Sequence, residues 1–536
     1  MMIRTLNKKM SGLLVGLLFA VAALTACGST KSIPQPDTAA PADVPYSLTL
    51  KQLAGSDFPG LHSMIYASYG DYVVLMAGRL NGLHGFPAQN KALSNPSFPP
   101  DKKNTTAFLI EKATGKLVAS ASVNGLPENV VQQLTATNTQ FSVVGDVTGS
   151  EMLYVVGGYG YTNAGDNMAT LSQVMAVNLG DLVSAIKSDS LNANFAKQSI
   201  YVGSHPALAI TGGALEQAAA IGGKGFLLVF GQQYDGVYST GGGTATQVYS
   251  ENVRKFNFEF GKSGQQLNKP VGDINVDLIW INPAISRTRP VEETEQYHRR
   301  DLTVIPTFTP DGIPQISALG GVFVPGQMAG FVNPVNIVAD DRSNASGLQQ
   351  TISLNVDTST TQLMAQYKAG TVPVYSQTEN AMYASIFAGI SQYYWKDGKL
   401  NRDTPNFNVT PVIDGLPFIN TISTLKVATN SSNQYLHNGV TFPPANAKPK
   451  CGSVETDYLG AETVFILADD ADSENGVIHL DSISKPTVVG YLVGGIASPV
   501  MYAASKVSCA SPTYYEVTLT PNQATSTTLL QLPPSN

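Results

Sequence analysis

Short apolar runs alternate with polar turns along this chain, and six of the runs lead directly into one or two glycines. They are DYVVLMAGRLNG (Asp71 to Gly82), MLYVVGGYGY (Met152 to Tyr161), GFLLVFGQQYDG (Gly225 to Gly236), PQISALGGVF (Pro314 to Phe323), MYASIFAGIS (Met382 to Ser391) and TVVGYLVGGIAS (Thr487 to Ser498). A short continuous apolar run bounded by turn residues predicts a strand buried on both faces. One such unit cannot bury its own faces and needs a neighbour on each side, so six copies predict an all-β ring of packed sheets.

The glycines Gly78, Gly158, Gly231, Gly321, Gly389 and Gly495 mark the units, at steps of 80, 73, 90, 68 and 106 residues. A further strand is predicted ahead of each marker: His62 to Tyr69, Thr139 to Asp146, Leu215 to Gly222, Asp301 to Phe308, Gly370 to Gln377 and Ala461 to Ala468. Third strands follow, in FVNPVNI, FINTISTL and SQVMAVNL, the last running into DLVSAI as a short helix. TYYEVTLTPN (Thr513 to Asn522) supplies a third strand for the last unit, but no fourth follows it. YSLTLKQL (Tyr46 to Leu53) is the predicted source, and its addition would remove an open sheet edge. The architecture expected is a six-bladed β-propeller, with seven blades as the alternative because the 106-residue step has room for another unit.

The first residues carry an address. Arg4, Lys8 and Lys9 precede an uncharged apolar stretch from Leu13 to Leu24, too short to span a bilayer comfortably, and Leu24-Thr25-Ala26-Cys27 follows. This resembles the lipobox of bacterial lipoproteins, which implies cleavage before Cys27 and lipidation of its sulfur. Gly28 after the cysteine resembles cargo for the outer membrane. The predicted divisions are a leader at 1–26, a Pro-rich tether at 27–45 and a single β domain at 46–536, with membrane attachment through the acyl chains.

Removal of the leader takes away three cations and no acid, so the net charge of −7 becomes −10. That argues against nucleic acid as a partner, because it rewards clustered Lys and Arg. Two cysteines then remain, Cys451 and Cys509, and in an exported chain an even pair predicts a disulfide.

With strands and turns in place, LYVVGGYGYTNAGDNMATLSQVMAVNL resembles a kelch repeat, and the chain resembles a group of exported kelch-like proteins that carry AGRLNGLHG and YHRRD segments. The late tryptophan usual in kelch units does not recur, since only Trp280 and Trp395 exist. The resemblance implies a propeller whose innermost strands line a central channel. Copper-radical oxidases use similar rings but require a tyrosine joined to a free cysteine, and both cysteines here are assigned to the disulfide.

Two polar clusters are candidate ligand sites. The first is His298, Arg299, Arg300 and Asp301, at the end of RTRPVEETEQYHRRDL, where adjacent arginines could hold a carboxylate through charge-assisted bonds. The starts of the other inner strands add His62, Asn138, Gln140, Glu216, Gln217, Tyr367, Lys368 and Glu462, a polar ring that could equally be an internal salt-bridge network. The second cluster is Arg79, Asn81 and His84, on a loop of the kind that serves recognition or ties neighbouring loops together. Asp469, Asp470, Asp472 and Glu474 form an acidic turn with calcium-like spacing that lacks the full pattern of a calcium loop. No G-x-S-x-G, H-E-x-x-H or phosphate-binding glycine loop occurs, and no cofactor is expected. The function predicted is a protein- or glycan-binding or scaffold module in the bacterial envelope. The alternative is an enzyme acting on an acidic sugar, of epimerase or mutarotase type, with Arg299 or Arg300 holding the carboxylate.

Overall fold

The computed structural model describes residues 43–53, 59–84, 97–145, 151–162, 167–238, 245–260, 274–282, 295–340, 351–406, 408–409, 413–502, 507–523 and 526–532. The expectations for the leader, Cys27 and the tether up to residue 42 lie outside these residues. So do Arg287, Arg289, Glu292 and Glu293 of the RTRPVEETEQYHRRDL segment.

The fold is mostly β. Sheet one runs in chain order through Ile65–Tyr69, Tyr72–Met76, Thr106–Glu111 and Lys116–Ser122. Sheet two repeats the antiparallel meander with Gln140–Val144, Met152–Val156, Gln173–Asn178 and Ile200–Ser204, and sheet three with Ala214–Gln217, Phe226–Val229, Val253–Phe260 and Ile274–Asn282. Sheet four holds Thr303–Phe308, Pro314–Leu319, Val335–Ala339 and Ile352–Val356. Sheet five is Thr371–Ser376, Ala381–Ile390, Phe418–Ala428 and Ser431–Thr441, extended at both edges into seven strands. Sheet six joins Val464–Leu467, Thr487–Val493 and Tyr514–Pro521 to Tyr46–Gln52, with Tyr46 opposite Pro521 and Gln52 opposite Tyr515.

The second strands are continuous apolar runs because both of their faces are covered. Met152–Val156 and Ala381–Ile390 are buried at every position. One hydrophobic cluster binds sheets one and two, for example Val74 and Leu109 with Leu153 and Met175. Others join two to three (Val156 with Leu228), three to four (Val229 with Ile316), four to five (Leu319 with Ala384) and five to six (Tyr383 with Tyr515). Leu75 and Ile110 of sheet one pack with Ile466 and Val493 of sheet six.

The marker glycines have a mechanical role. Each is the second of two consecutive residues with positive φ, +51° to +64° and then +77° to +109°, which turns the chain out of the second strand in five sheets and makes a bulge inside Ala381–Ile390 in the other. Five of the six markers donate their backbone N–H to the segment entering the next sheet: Gly78 to Ala136 (2.8 Å), Gly158 to Ile210 (2.9 Å), Gly231 to Arg299 (3.0 Å), Gly321 to Gln366 (2.7 Å) and Gly495 to Leu61 (2.9 Å). The last bond runs from sheet six to sheet one.

DLVSAI lies in a helix, Leu179–Lys187, started by the Asn178 side chain accepting from the Asp181 N–H, with Leu182, Val183 and Ile186 buried against sheets one and two. The expectation of a strand from Leu215 to Gly222 needs correction. The strand stops at Gln217, and Ala218–Ile221 forms a turn of 3-10 helix closed by Gly222 at φ +77°, because three successive alanines bring no branched side chain to hold an extended run. The 106-residue step contains the two 11-residue strands of sheet five, Phe418–Ala428 and Ser431–Thr441, and small sheets at Lys450–Cys451 with Val454–Glu455 and at Tyr458–Ala461 with Ile496–Ser498 and Cys509–Ala510. Cys451 and Cys509 are disulfide-bonded, with Cα atoms 5.5 Å apart. No helix among the described residues is long and apolar enough to cross a membrane.

Candidate functional site

The residue just ahead of each first strand is bonded through its backbone to its counterpart in the preceding sheet. Asn138 N–H donates to the Ser63 carbonyl (3.3 Å), Gly212 to Asn138 (3.3 Å), Asp301 to Gly212 (2.7 Å), Lys368 to Asp301 (2.8 Å) and Glu462 to Lys368 (2.9 Å). Residues hundreds of positions apart thereby meet in one layer, which we call the collar.

The collar concentrates buried charge. Arg300 Nε lies 3.2 Å from Asp301 Oδ2, its Nη1 donates to Gln232 Oε1 (2.6 Å), and its guanidinium sits over Phe323. Lys368 Nζ lies 3.8 Å from a carboxylate oxygen of Glu462, which is 1% exposed and has no hydrogen-bond partner of good geometry on either oxygen. Burial raises the Asp301 and Glu462 carboxyls above the usual range, against the pull of Arg300 and Lys368 on Asp301 and of Lys368 on Glu462. Two cations and two acids meet in the collar, so it carries no net charge when all four are ionised.

The predicted site residues divide. His84, Arg300 and Asp301 line one crevice with Phe98, Tyr159 and Tyr238, and His84 and Asp301 line a second with Tyr367 and Phe323. These crevices hold about 30 Å³ and about 10 Å³. That is room for a water molecule and little else. Arg79 does not line them. It is 2% exposed, donates to the Pro99 carbonyl and to Asn81 Oδ1, and lies over the Phe98 ring. Asn81 accepts from His62 through its carbonyl, 2.8 Å, if the His62 Nε2 carries the proton.

Arg299 is fully buried and places four of its five N–H donors on Gln296, Gly320 and Asn333. His298 stacks on Tyr249 at 3.6 Å and pairs with Glu251. Of the acidic turn, Asp469 pairs with Lys112 of sheet one, while Asp472 and Glu474 flank His479 at 3.6 and 4.0 Å. No group of three or more His, Cys, Asp or Glu able to hold a metal occurs among the described residues.

The volume lies on the other side of the collar. A cavity of about 540 Å³ is lined by the first strand of every sheet: Tyr66, Gln140, Glu216, Val304, Thr371 and Val464 each contribute. Lys368 stands at its collar end, and Asp469 and Ser473 lie at its far end. Glu216 was legible as a polar strand position. Tyr66, Phe141 and Phe465, which line the same cavity, were not, because each belongs to a run that reads simply as core.

The wall of aromatic rings above the collar was also missed. It arises from a small four-stranded sheet made of the loops that leave sheets two and three: Tyr159–Tyr161, Met168–Thr170, Gln232–Asp235 and Thr246–Tyr249. Tyr159 hydroxyl donates to the Gly236 carbonyl and accepts from the Tyr238 N–H, which fixes the wall. The only sequence signal was the aromatic that follows the glycine in GGYGY and GQQYDG.

No family model matches the chain, and no curated protein matches it. A solved structure described as a novel fungal alcohol oxidase with catalytic diversity among the AA5 family, in complex with copper, aligns over 91% of this chain and 99% of its own, at 9% identity and a TM-score of 0.29. Similarity at that level carries no argument about this chain.

Proposed function

We propose that the protein is a binding module: a closed, six-bladed, kelch-like β-propeller, lipid-anchored through Cys27 in the bacterial envelope, with its ligand site in the axial cavity. Six meandering sheets, a buried cluster at each junction including six to one, and the bond from Gly495 to Leu61 support closure and blade number. The resemblance of residues 24–28 to a lipobox supports the anchor and the outer membrane. The partners we infer are the membrane, through that anchor, and a glycan or protein that presents a group to the cavity.

The observation that carries this reading is the 540 Å³ cavity, a size suited to a small ligand, lined by all six first strands and closed at one end by the collar. Binding without turnover is favoured over the acidic-sugar enzyme because both arginines that would hold a carboxylate are already engaged: Arg299 by carbonyls and Arg300 by Asp301 and Gln232. The test is a thermal-shift and NMR screen of neutral, acidic and amino sugars and short peptides, on the wild type and on Ala214→Trp, which places a large ring in the cavity wall. A ligand that raises the melting temperature of the wild type but not the variant, and is recovered unchanged, supports the reading. Turnover of an acidic sugar that is lost in Arg300→Ala would replace it with the enzyme.

A further inference from the structure

Among the described residues, one carboxyl of the cavity wall has no charged partner. Lys368 is taken up with Glu462, and Asp469 with Lys112. Glu216 lines the wall, part-exposed, and among the described residues has no ion pair or hydrogen bond. The strands packed against it, Gln140–Val144, Phe226–Val229 and Thr303–Phe308, carry no titratable side chain, and among the described residues Tyr66 of sheet one interacts with it electrostatically.

The collar sets the height of each wall residue. Glu216 lies four positions beyond Gly212, which places it about 13 Å along the strand direction from the collar and so from Lys368. Tyr66, Phe141 and Phe465 each lie three positions beyond their own collar residues Ser63, Asn138 and Glu462. By the same ruler these three lie about 10 Å from the collar, within one residue's rise of Glu216, and the Tyr66 and Phe141 rings meet edge to face at 5.0 Å. Aromatic faces attract cations through their quadrupole, most strongly when desolvated, and a carboxylate beside them supplies the matching charge.

We propose that this level binds a small organic cation, an ammonium group whose charge meets Glu216 and whose methyl or methylene groups meet the three rings. The inference rests on the cavity being the ligand site and adds the chemistry of what enters it. Burial holds the empty Glu216 carboxyl up to about 8, so near neutral pH the incoming cation displaces a proton.

The test uses the full chain, with choline as probe and its uncharged tert-butyl isostere as control, followed by calorimetry. Choline should bind at least about tenfold more tightly than the isostere at pH 9. Its affinity should fall as the pH is lowered to 6, and binding at pH 7 should release a proton to the buffer. Glu216→Gln should abolish the preference for choline without lowering the melting temperature at pH 7, and Phe465→Leu should weaken choline more than the isostere. Equal binding of the two probes, or wild-type choline binding by Glu216→Gln, overturns the inference. If neither probe binds but a sugar does, and Ala214→Trp excludes that sugar, the cation is wrong and the cavity reading stands. If Ala214→Trp takes up every ligand as the wild type does, the cavity reading itself fails.

Discussion

The backbone N–H of Gly495 donates to the carbonyl of Leu61 at 2.9 Å, joining the last glycine pair of the chain to the entry of its first sheet. The same bond recurs from Gly78, Gly158, Gly231 and Gly321 to the sheet that follows each of them, so the contact between the last sheet and the first repeats the internal ones.

Replacement of Gly495 should therefore be costly. It has φ +96°, and a Cβ there would lie 2.3 Å from Thr463 Oγ1. Gly495→Ala is expected to lose about 3 kcal/mol or more in urea unfolding. Gly439→Ala, at φ +72° with nothing within 4 Å of the added Cβ, should lose only about 1 kcal/mol. Equal losses would mean that the close approach does not matter.

Arg300 and Asp301 should behave as one unit. Arg300→Met leaves Asp301 buried beside Lys368 alone, at a cost of about 3–5 kcal/mol. Arg300→Met with Asp301→Asn removes both charges and should recover most of that in the same unfolding assay. Additive losses would show that the two residues are not coupled.

Acid should weaken the fold through His62. Burial, with Arg79 nearby, lowers its imidazole to about 3, whereas the unfolded chain takes up the proton near 6.5. Its contribution is complete above pH 6.5 and is lost as the pH falls toward 3. Glu216 acts in the opposite sense: its folded value of about 8 exceeds the ordinary 4.5, so stability is lost as the pH rises through that window. His62→Gln should flatten the rise in melting temperature between about pH 3 and 6.5, and Glu216→Gln should remove the opposing fall between about pH 4.5 and 8. An unchanged profile in either variant contradicts the corresponding assignment.

The disulfide should contribute modestly. It closes a loop of 58 residues and ties the hairpin at Lys450–Glu455 to Cys509, whose neighbour Ser508 bonds the Leu83 N–H through its hydroxyl. Cys451→Ser with Cys509→Ser should lower stability by no more than about 4 kcal/mol. A larger loss in urea unfolding would mean that the bridge also holds native structure in place.

Much of the fold was written in single residues. The glycines at 78, 158, 231, 321, 389 and 495 stand where a positive φ and a close neighbour coincide, so the chain declares them. Their partners at Ala77, Phe230 and Ala388 adopt positive φ without being glycine, which is why half of the two-residue turns could not be read. Arg300 and Asp301 were visible because adjacent charges in an apolar chain stand out. The limits of that reading came from long-range packing: Arg299 looked as available as Arg300 until its donors were traced to Gly320 and Asn333. The rings of Tyr66 and Phe141 meet, and Phe465 lines the same cavity, only because their sheets share a collar, a fact no local pattern contains.

Closure of the sheets by Tyr46–Gln52 is the claim on which the cavity depends, and a cross-link tests it. Thr49 stands opposite Thr518 in the paired strands, so Thr49→Cys with Thr518→Cys should oxidise nearly completely, give a faster-migrating species in non-reducing electrophoresis and raise the melting temperature. Failure of this pair to form, or equal cross-linking when the second cysteine replaces Thr520 instead, would contradict the closed arrangement.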